Sequence, residues 1–91
     1  MNRSECLQEA EKIVCNDREN IYGSPGDNFE MIARLWKAYL DWPVTADDVA
    51  NMMILLKVAR IETGEFNVDN YVDIAGYAAL ACEIGGDELK E

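Results

Sequence analysis

The segment that decides the fold of this chain runs from Val68 to Ala79 and reads Val-Asp-Asn-Tyr-Val-Asp-Ile-Ala-Gly-Tyr-Ala-Ala. Residues three and four positions apart are neighbours on a helix, so Asn70, Asp73 and Tyr77 are predicted to line one edge. Asp69 lies one turn before Asp73. The sequence therefore predicts a helix that carries two carboxylates and an amide on one side.

A glycine in this segment, Gly76, predicts a close contact. Glycine inside a helix costs about 1 kcal/mol relative to alanine, so something should compensate for it. The close approach of another helix or of a ligand is the expected compensation, because only a missing side chain lets a neighbour come so near. Simple packing between helices is the alternative that needs no ligand.

Three more helices are predicted upstream, because each begins at a residue that can cap a helix and continues with apolar residues at helical spacing. No segment has a strand pattern long enough to compete. The fold class is therefore all-α, a small helical bundle with a short N-terminal helix and three longer helices, completed by oligomerisation. The predicted starts are Asn2 with Glu5, Asp27 with Glu30, and Thr45 with Asp48.

The chain is predicted to form a single domain over its 91 residues. A stretch rich in glycine, proline, asparagine and aspartate should be a loop, and Gly85-Gly86 should end the last helix. The expected divisions are an N-terminal helix at 1–16, a loop at 17–27, a helical core at 28–84 and a tail at 85–91.

Composition and charge narrow the possible partners. Apolar residues make up 49% of the chain, which is more than a small bundle can hide, so a homo-oligomer is expected. The formal net charge is -10, from 18 acidic and 8 basic residues. Nucleic acids and anionic membranes attract basic surfaces, so neither is expected as a partner.

The expected location is the cytoplasm of a bacterial host cell. We find no secretory signal pattern and no apolar run long enough to span a membrane. The spacing of Cys6, Cys15 and Cys82 matches neither a disulfide framework nor a zinc site. The sequence has no histidine, so any catalysis would depend on carboxylates, lysine or tyrosine.

Four side chains outside the opening segment are candidates for a binding site. Lys57 and Arg60 lie three residues apart on a third helix that is apolar nearly all round, so they should lie together. Both could instead extend to the helix end and favour its negative pole. Arg18 and Tyr22 are the loop side chains that turn chemistry explains least, although a solvated arginine and a core tyrosine are the simpler interpretation.

Three ordered motifs resemble a family of short, largely uncharacterised phage and prophage proteins, over residues 17 to 84. The motifs are the loop from Arg18 to Phe29, the segment from Asp48 to Arg60, and the segment from Asp69 to Tyr77. A fainter similarity links the chain to the MazG-like all-α nucleoside triphosphate pyrophosphohydrolases.

The fainter resemblance implies a magnesium site. In the MazG-like enzymes an ExxE motif on one helix and an ExxD motif on the next hold Mg²⁺ against a triphosphate. Asn70-x-x-Asp73 looks like the second half of that site, whereas Lys57-x-x-Arg60 occupies the place of the first acidic pair. The two cations could pair with Asp69 and Asp73, or could contact ligand phosphates directly without a metal.

Three functions are consistent with these patterns. The leading hypothesis is a phage protein that binds a phosphorylated nucleotide-type small molecule without turnover and needs no cofactor. Phages encode small oligomeric proteins that sequester cyclic-nucleotide immune messengers, and an anti-defence role of this kind is expected by analogy. The expected ligand-binding residues are Arg18, Tyr22, Lys57, Arg60, Asn70, Asp73 and Tyr77.

The alternatives are an enzyme and a protein-binding accessory. The enzyme would be a Mg²⁺-dependent pyrophosphohydrolase, with Asp69 and Asp73 as catalytic residues and Asp48 as a further possible metal ligand. The accessory would use the acidic surface to engage a basic protein.

Overall fold

The computed structural model describes residues 1–17 and 23–89 of the chain. Within these ranges it contains four α-helices and no strand, which confirms the all-α fold class. None of these helices is both long enough and apolar enough to cross a bilayer. The helices are α1 (Arg3–Lys12), continued by a π-helical turn (Ile13–Asp17), α2 (Pro25–Leu40), α3 (Ala46–Thr63) and α4 (Val68–Leu89).

Two helix starts form as the sequence predicts. At α1 the Glu5 amide donates to Asn2 Oδ1 over 2.8 Å, and the Asn2 amide donates to Glu5 Oε1 over 2.9 Å. At α3 the Thr45 amide donates to Asp48 Oδ2 over 3.0 Å, and the Asp48 amide donates to Thr45 Oγ1 over 3.4 Å. Both are reciprocal capping boxes, which satisfy amides that the first helical turn leaves unpaired.

The second helix begins earlier than the sequence predicts. Ser24, not Asp27, is the N-cap, and its hydroxyl oxygen accepts from the Asp27 amide over 3.3 Å. Proline at the first helical position suits a helix start, because its missing N–H would be unpaired there anyway. The expected loop at 17–27 therefore ends before Pro25.

The last helix extends further than the sequence predicts. Gly85 and Gly86 lie inside α4, which continues to Leu89, so the expected tail at 85–91 is wrong as far as the structure describes it. Neither glycine has a positive φ, so neither provides the left-handed cap that often ends a helix. Each glycine costs the helix only about 1 kcal/mol, and the structural context of α4 outweighs this cost.

The helices pack around a small core at one end of the α3–α4 pair. Helix α3 contacts both α2 and α4, and α1 contacts α4. The connection at 64–67 is short, so α3 and α4 lie antiparallel, as expected for neighbours in a bundle. The buried core cluster consists of Phe29, Ala33, Ala46, Val49, Ala50, Leu80 and Ile84.

Gly76 allows the π-helical turn after α1 to approach α4 closely. A Cβ atom added to Gly76 would lie 2.9 Å from Cγ1 of Val14, which is closer than side-chain carbons pack. The predicted close contact is therefore confirmed, and the neighbour belongs to the same chain. Gly76 is buried.

Candidate functional site

A polar groove lies where α3 ends and α4 begins. Its volume is about 470 Å³. Helix α3 contributes its last turns, the connection at 64–67 forms one wall, and α4 contributes its first turns. The lining residues are Lys57, Arg60, Thr63, Gly64, Glu65, Asn67, Asp69, Asn70 and Asp73.

An ion pair crosses the groove from one helix to the other. Lys57 Nζ lies 2.7 Å from Asp73 Oδ2. The side chains are 13% and 30% exposed, respectively, so water screens this pair less than a surface pair. Of the two interpretations that the sequence left open for Lys57, the structure shows an internal ion pair with Asp73.

The amide of Asn70 is buried beside this ion pair. Asn70 is 9% exposed and is the buried polar side chain among the described residues. Its backbone amide donates to the Asn67 carbonyl over 3.2 Å, but its side chain has no hydrogen bond to any described residue. A buried polar group without a partner costs about 1 to 3 kcal/mol, so it requires an explanation.

The remaining charged side chains of the groove are exposed and have no ion-pair partner within the described ranges. They are Arg60 from α3, Glu65 from the connection and Asp69 from α4. Together with Lys57 and Asp73 they give the groove two positive and three negative groups. The groove is therefore of mixed charge and is not a simple anion site.

The start of α4 places the two acidic residues differently. The Asp69 amide donates to Asn67 Oδ1 over 2.9 Å, so Asn67 caps the helix. Asp69 stays exposed in the first turn, while Asp73 comes one turn later, opposite Lys57. The predicted proximity of these carboxylates is confirmed, but only Asp73 pairs with a cation.

Tyr77 does not join the groove. Its ring packs against Phe29, with ring centroids 6.3 Å apart and an angle of 30° between the planes. It lines a separate cavity of about 50 Å³ between the N-terminal segment and α4, together with Gly76 and Asp73. The structure therefore does not bring Tyr77 together with Arg60, and its contact with a ligand stays a prediction.

Arg18 and Tyr22, the two candidates from the loop, lie outside the described residues. Glu65 and Asn67 line the groove although the sequence did not single them out. Their position was the available signal, since they fall between the two helix ends that carry the predicted cations and carboxylates, and connecting segments often carry function.

Asp48 does not lie with Asp69 and Asp73. It belongs to the capping box at the other end of α3, nine residues before Lys57, which is about 13 Å along a helix. Within the described ranges no group of three or more Asp, Glu, Cys or His side chains could hold a metal ion. The alternative magnesium site with these three ligands is therefore wrong in its geometry.

Fold and groove define a small all-α protein with a mixed-charge cleft between two antiparallel helices. The model of DUF6378, a domain of unknown function, matches residues 5–85. Because this match covers most of the chain, the chain belongs to that family.

Two relatives come from bacteriophages. The chain is 42% identical over 72 residues to the Gene 55 protein of Mycobacterium phage D29. It is 47% identical over 75 residues to the Gene 55 protein of Mycobacterium phage L5. These alignments cover 79% and 81% of this chain and 48% of each relative, so the chain spans about half the length of the relatives that it matches.

The comparisons confirm the resemblance to an uncharacterised phage protein family. No solved structure matches the chain. The similarity to MazG-like enzymes stays a prediction, and neither the family nor the relatives indicate a ligand or a reaction.

Proposed function

We propose that this chain binds a phosphorylated, nucleotide-type small molecule in the groove between α3 and α4, without converting it. The observation that carries the proposal is the buried side-chain amide of Asn70, which has no hydrogen-bond partner among the described residues. An amide offers two donors and one acceptor oxygen, which is the pattern that matches the edge of a nucleobase. A ligand that pairs with this amide offsets the desolvation cost of burying it.

The other groups of the groove suit the remaining parts of a nucleotide. Arg60 is exposed, and its guanidinium can bind phosphate oxygens through two parallel hydrogen bonds. Asp69 and Glu65 are acceptors for ribose hydroxyls, a role that acidic side chains have in dinucleotide sites. A mixed-charge groove therefore fits a ligand that has both anionic and hydroxyl groups better than it fits a bare anion.

The position of Lys57 supports binding without turnover. A magnesium-dependent pyrophosphohydrolase would use its carboxylates as ligands of a hard cation. Here the ammonium group of Lys57 already neutralises Asp73 at 2.7 Å, which leaves Asp69 and Glu65 as the groove carboxylates that have no ion pair with any described residue. Lys57 thus forms an ion pair with the carboxylate that such a metal site would need as a ligand.

Calorimetric titration with a panel of linear and cyclic nucleotides tests this proposal. We expect at least one nucleotide to bind equally well in magnesium and in EDTA, and to be recovered unchanged by chromatography. Arg60→Ala should weaken its binding by about 10-fold to 150-fold, because a charge-assisted hydrogen bond contributes about 1.5 to 3 kcal/mol.

Arg34→Ala is the matched control. Arg34 is an exposed arginine on α2 that pairs with Glu30 at 3.7 Å, away from the groove. Its loss should leave nucleotide affinity unchanged. Magnesium-dependent release of pyrophosphate would overturn the proposal in favour of the hydrolase, and equal effects of the two arginine variants would exclude the groove as the site.

A further inference from the structure

The outer face of α3 is apolar and has no partner within the described chain. Four residues at helical spacing form it: Met52, Leu55, Leu56 and Ala59. All four are exposed, and Leu55 is 66% exposed. Helix α3 contacts α2 and α4 on its other sides, so this face is the open side of a helix that has neighbours on both flanks.

The same face lacks acidic residues. The chain has 18 acidic residues, but none of them lies between Asp48 and Glu62. In a protein with a net charge of -10, most surfaces of two copies repel each other. The outer face of α3 is a place where two copies can meet without bringing carboxylates together.

The exposed area of the chain also exceeds that of a compact monomer. A monomer of 10.3 kDa exposes about 5,400 Å². This chain exposes 6564 Å². The excess of roughly 1,200 Å² is spread over the whole surface of the chain, and it leaves room for an interface of standard size, in which each partner buries roughly 800 Å².

We propose that the outer face of α3 binds the same face of a second copy, in a two-fold symmetric dimer. In an antiparallel crossing centred on Leu55 and Leu56, Met52 of one copy lies against Ala59 of the other. A large side chain therefore meets a small one, as interdigitated packing requires. The crossing also places Asp48 opposite Thr63 of the second copy, so no two carboxylates face each other. This dimer does not depend on what the groove binds.

Light scattering after size-exclusion chromatography tests the dimer with two matched variants. Leu55→Glu introduces a carboxylate in the middle of the face, and we expect it to give a monomer at micromolar concentration. Leu7→Glu is the control, because Leu7 is 63% exposed and lies on α1, which contacts α4 and not α3 among the described residues. That variant should remain a dimer, like the wild-type chain.

A milder substitution keeps the test decisive if Leu55→Glu fails to fold. Leu55→Ala should raise the dimer dissociation constant at least tenfold, whereas Leu7→Ala should leave it unchanged. A monomeric wild-type chain at micromolar concentration would overturn the proposal. Persistence of the dimer in Leu55→Glu, or equal weakening by both alanine variants, would also overturn it.

Discussion

The two ends of the antiparallel α3–α4 pair differ in how completely their polar groups are paired. At the end where α3 begins, Thr45 and Asp48 satisfy each other's backbone amides, and Thr45 Oγ1 donates to Asp47 Oδ1 over 2.6 Å. At the end where α3 finishes, Arg60 has no ion pair and the amide of Asn70 has no hydrogen bond within the described ranges. Among the described residues, the first end pairs its capping groups with each other, whereas the second end leaves Arg60 and the Asn70 amide unpaired beside the Lys57–Asp73 ion pair.

This difference separates a structural cluster from a candidate site. Both ends contain several charged residues, so charge alone does not distinguish them. The polar groups of a helix cap are paired within the folded chain, so their stabilisation needs no ligand. Buried groups that lack partners lower the stability of the folded chain, and the proposed ligand would remove this cost by supplying the missing hydrogen bonds.

Breaking the ion pair inside the groove is expected to give the largest loss of stability. Lys57→Met leaves Asp73 unpaired, and Asp73→Asn leaves Lys57 unpaired. We expect each to lower the free energy of unfolding by about 1 to 3 kcal/mol, between the values for exposed and buried pairs. The double variant should lose less than the sum of both, because no charge remains unpaired. Urea denaturation of the three variants measures this coupling.

Lys37→Met is the control for these variants. Lys37 is an exposed lysine on α2, so its replacement should change stability by less than about 0.5 kcal/mol. Additive losses in the Lys57 and Asp73 variants would show that the ion pair does not hold the two helices together.

At the end where α3 begins, the loss of the N-cap should lower the stability less than the loss of the ion pair does. Thr45→Ala removes the N-cap hydroxyl of α3 and should lower the free energy of unfolding by about 1 kcal/mol, without changing ligand affinity. Thr63→Ala, at the other end of the same helix, removes a hydroxyl that donates to the Ala59 carbonyl over 2.9 Å. That carbonyl bond contributes little, so stability should be nearly unchanged. Thermal unfolding followed by circular dichroism compares the two variants. A smaller shift for Thr45→Ala than for Thr63→Ala would contradict the assignment of the cap.

Local chemistry explains which parts of the fold the sequence could predict. The capping boxes of α1 and α3 formed as expected because they join residues three positions apart. The start of α2 was misplaced because Ser24 and Asp27 both suit an N-cap, and the proline after Ser24 favours the earlier start. The end of α4 was misplaced because the helix preference of glycine is weak compared with tertiary packing.

The sequence predicted part of the groove's lining but not how its charged groups pair. The opening segment correctly placed Asn70 beside Asp73, since that depends on helical spacing. Whether Lys57 meets a carboxylate or stays free depends on a distance between two helices, which spacing within one helix does not fix. The same limit applies to Tyr77, because its contact with Phe29 of α2 took it into the core. The groove also contains residues between Arg60 and Asn70, and the fold brings these together with the side chains of the two helices.

The most direct test of the binding site is a paired measurement on Asn70→Leu. Leucine fills a similar volume without polar atoms, so the substitution removes the buried unpaired amide. We expect the melting temperature to stay the same or to rise, because replacing an unsatisfied polar group by an apolar one is neutral or stabilising. Affinity for the nucleotide that the wild-type chain binds should fall at least tenfold in the same preparation. A lower melting temperature with unchanged affinity would contradict the account, because Asn70 would then stabilise the fold and would not contact a ligand.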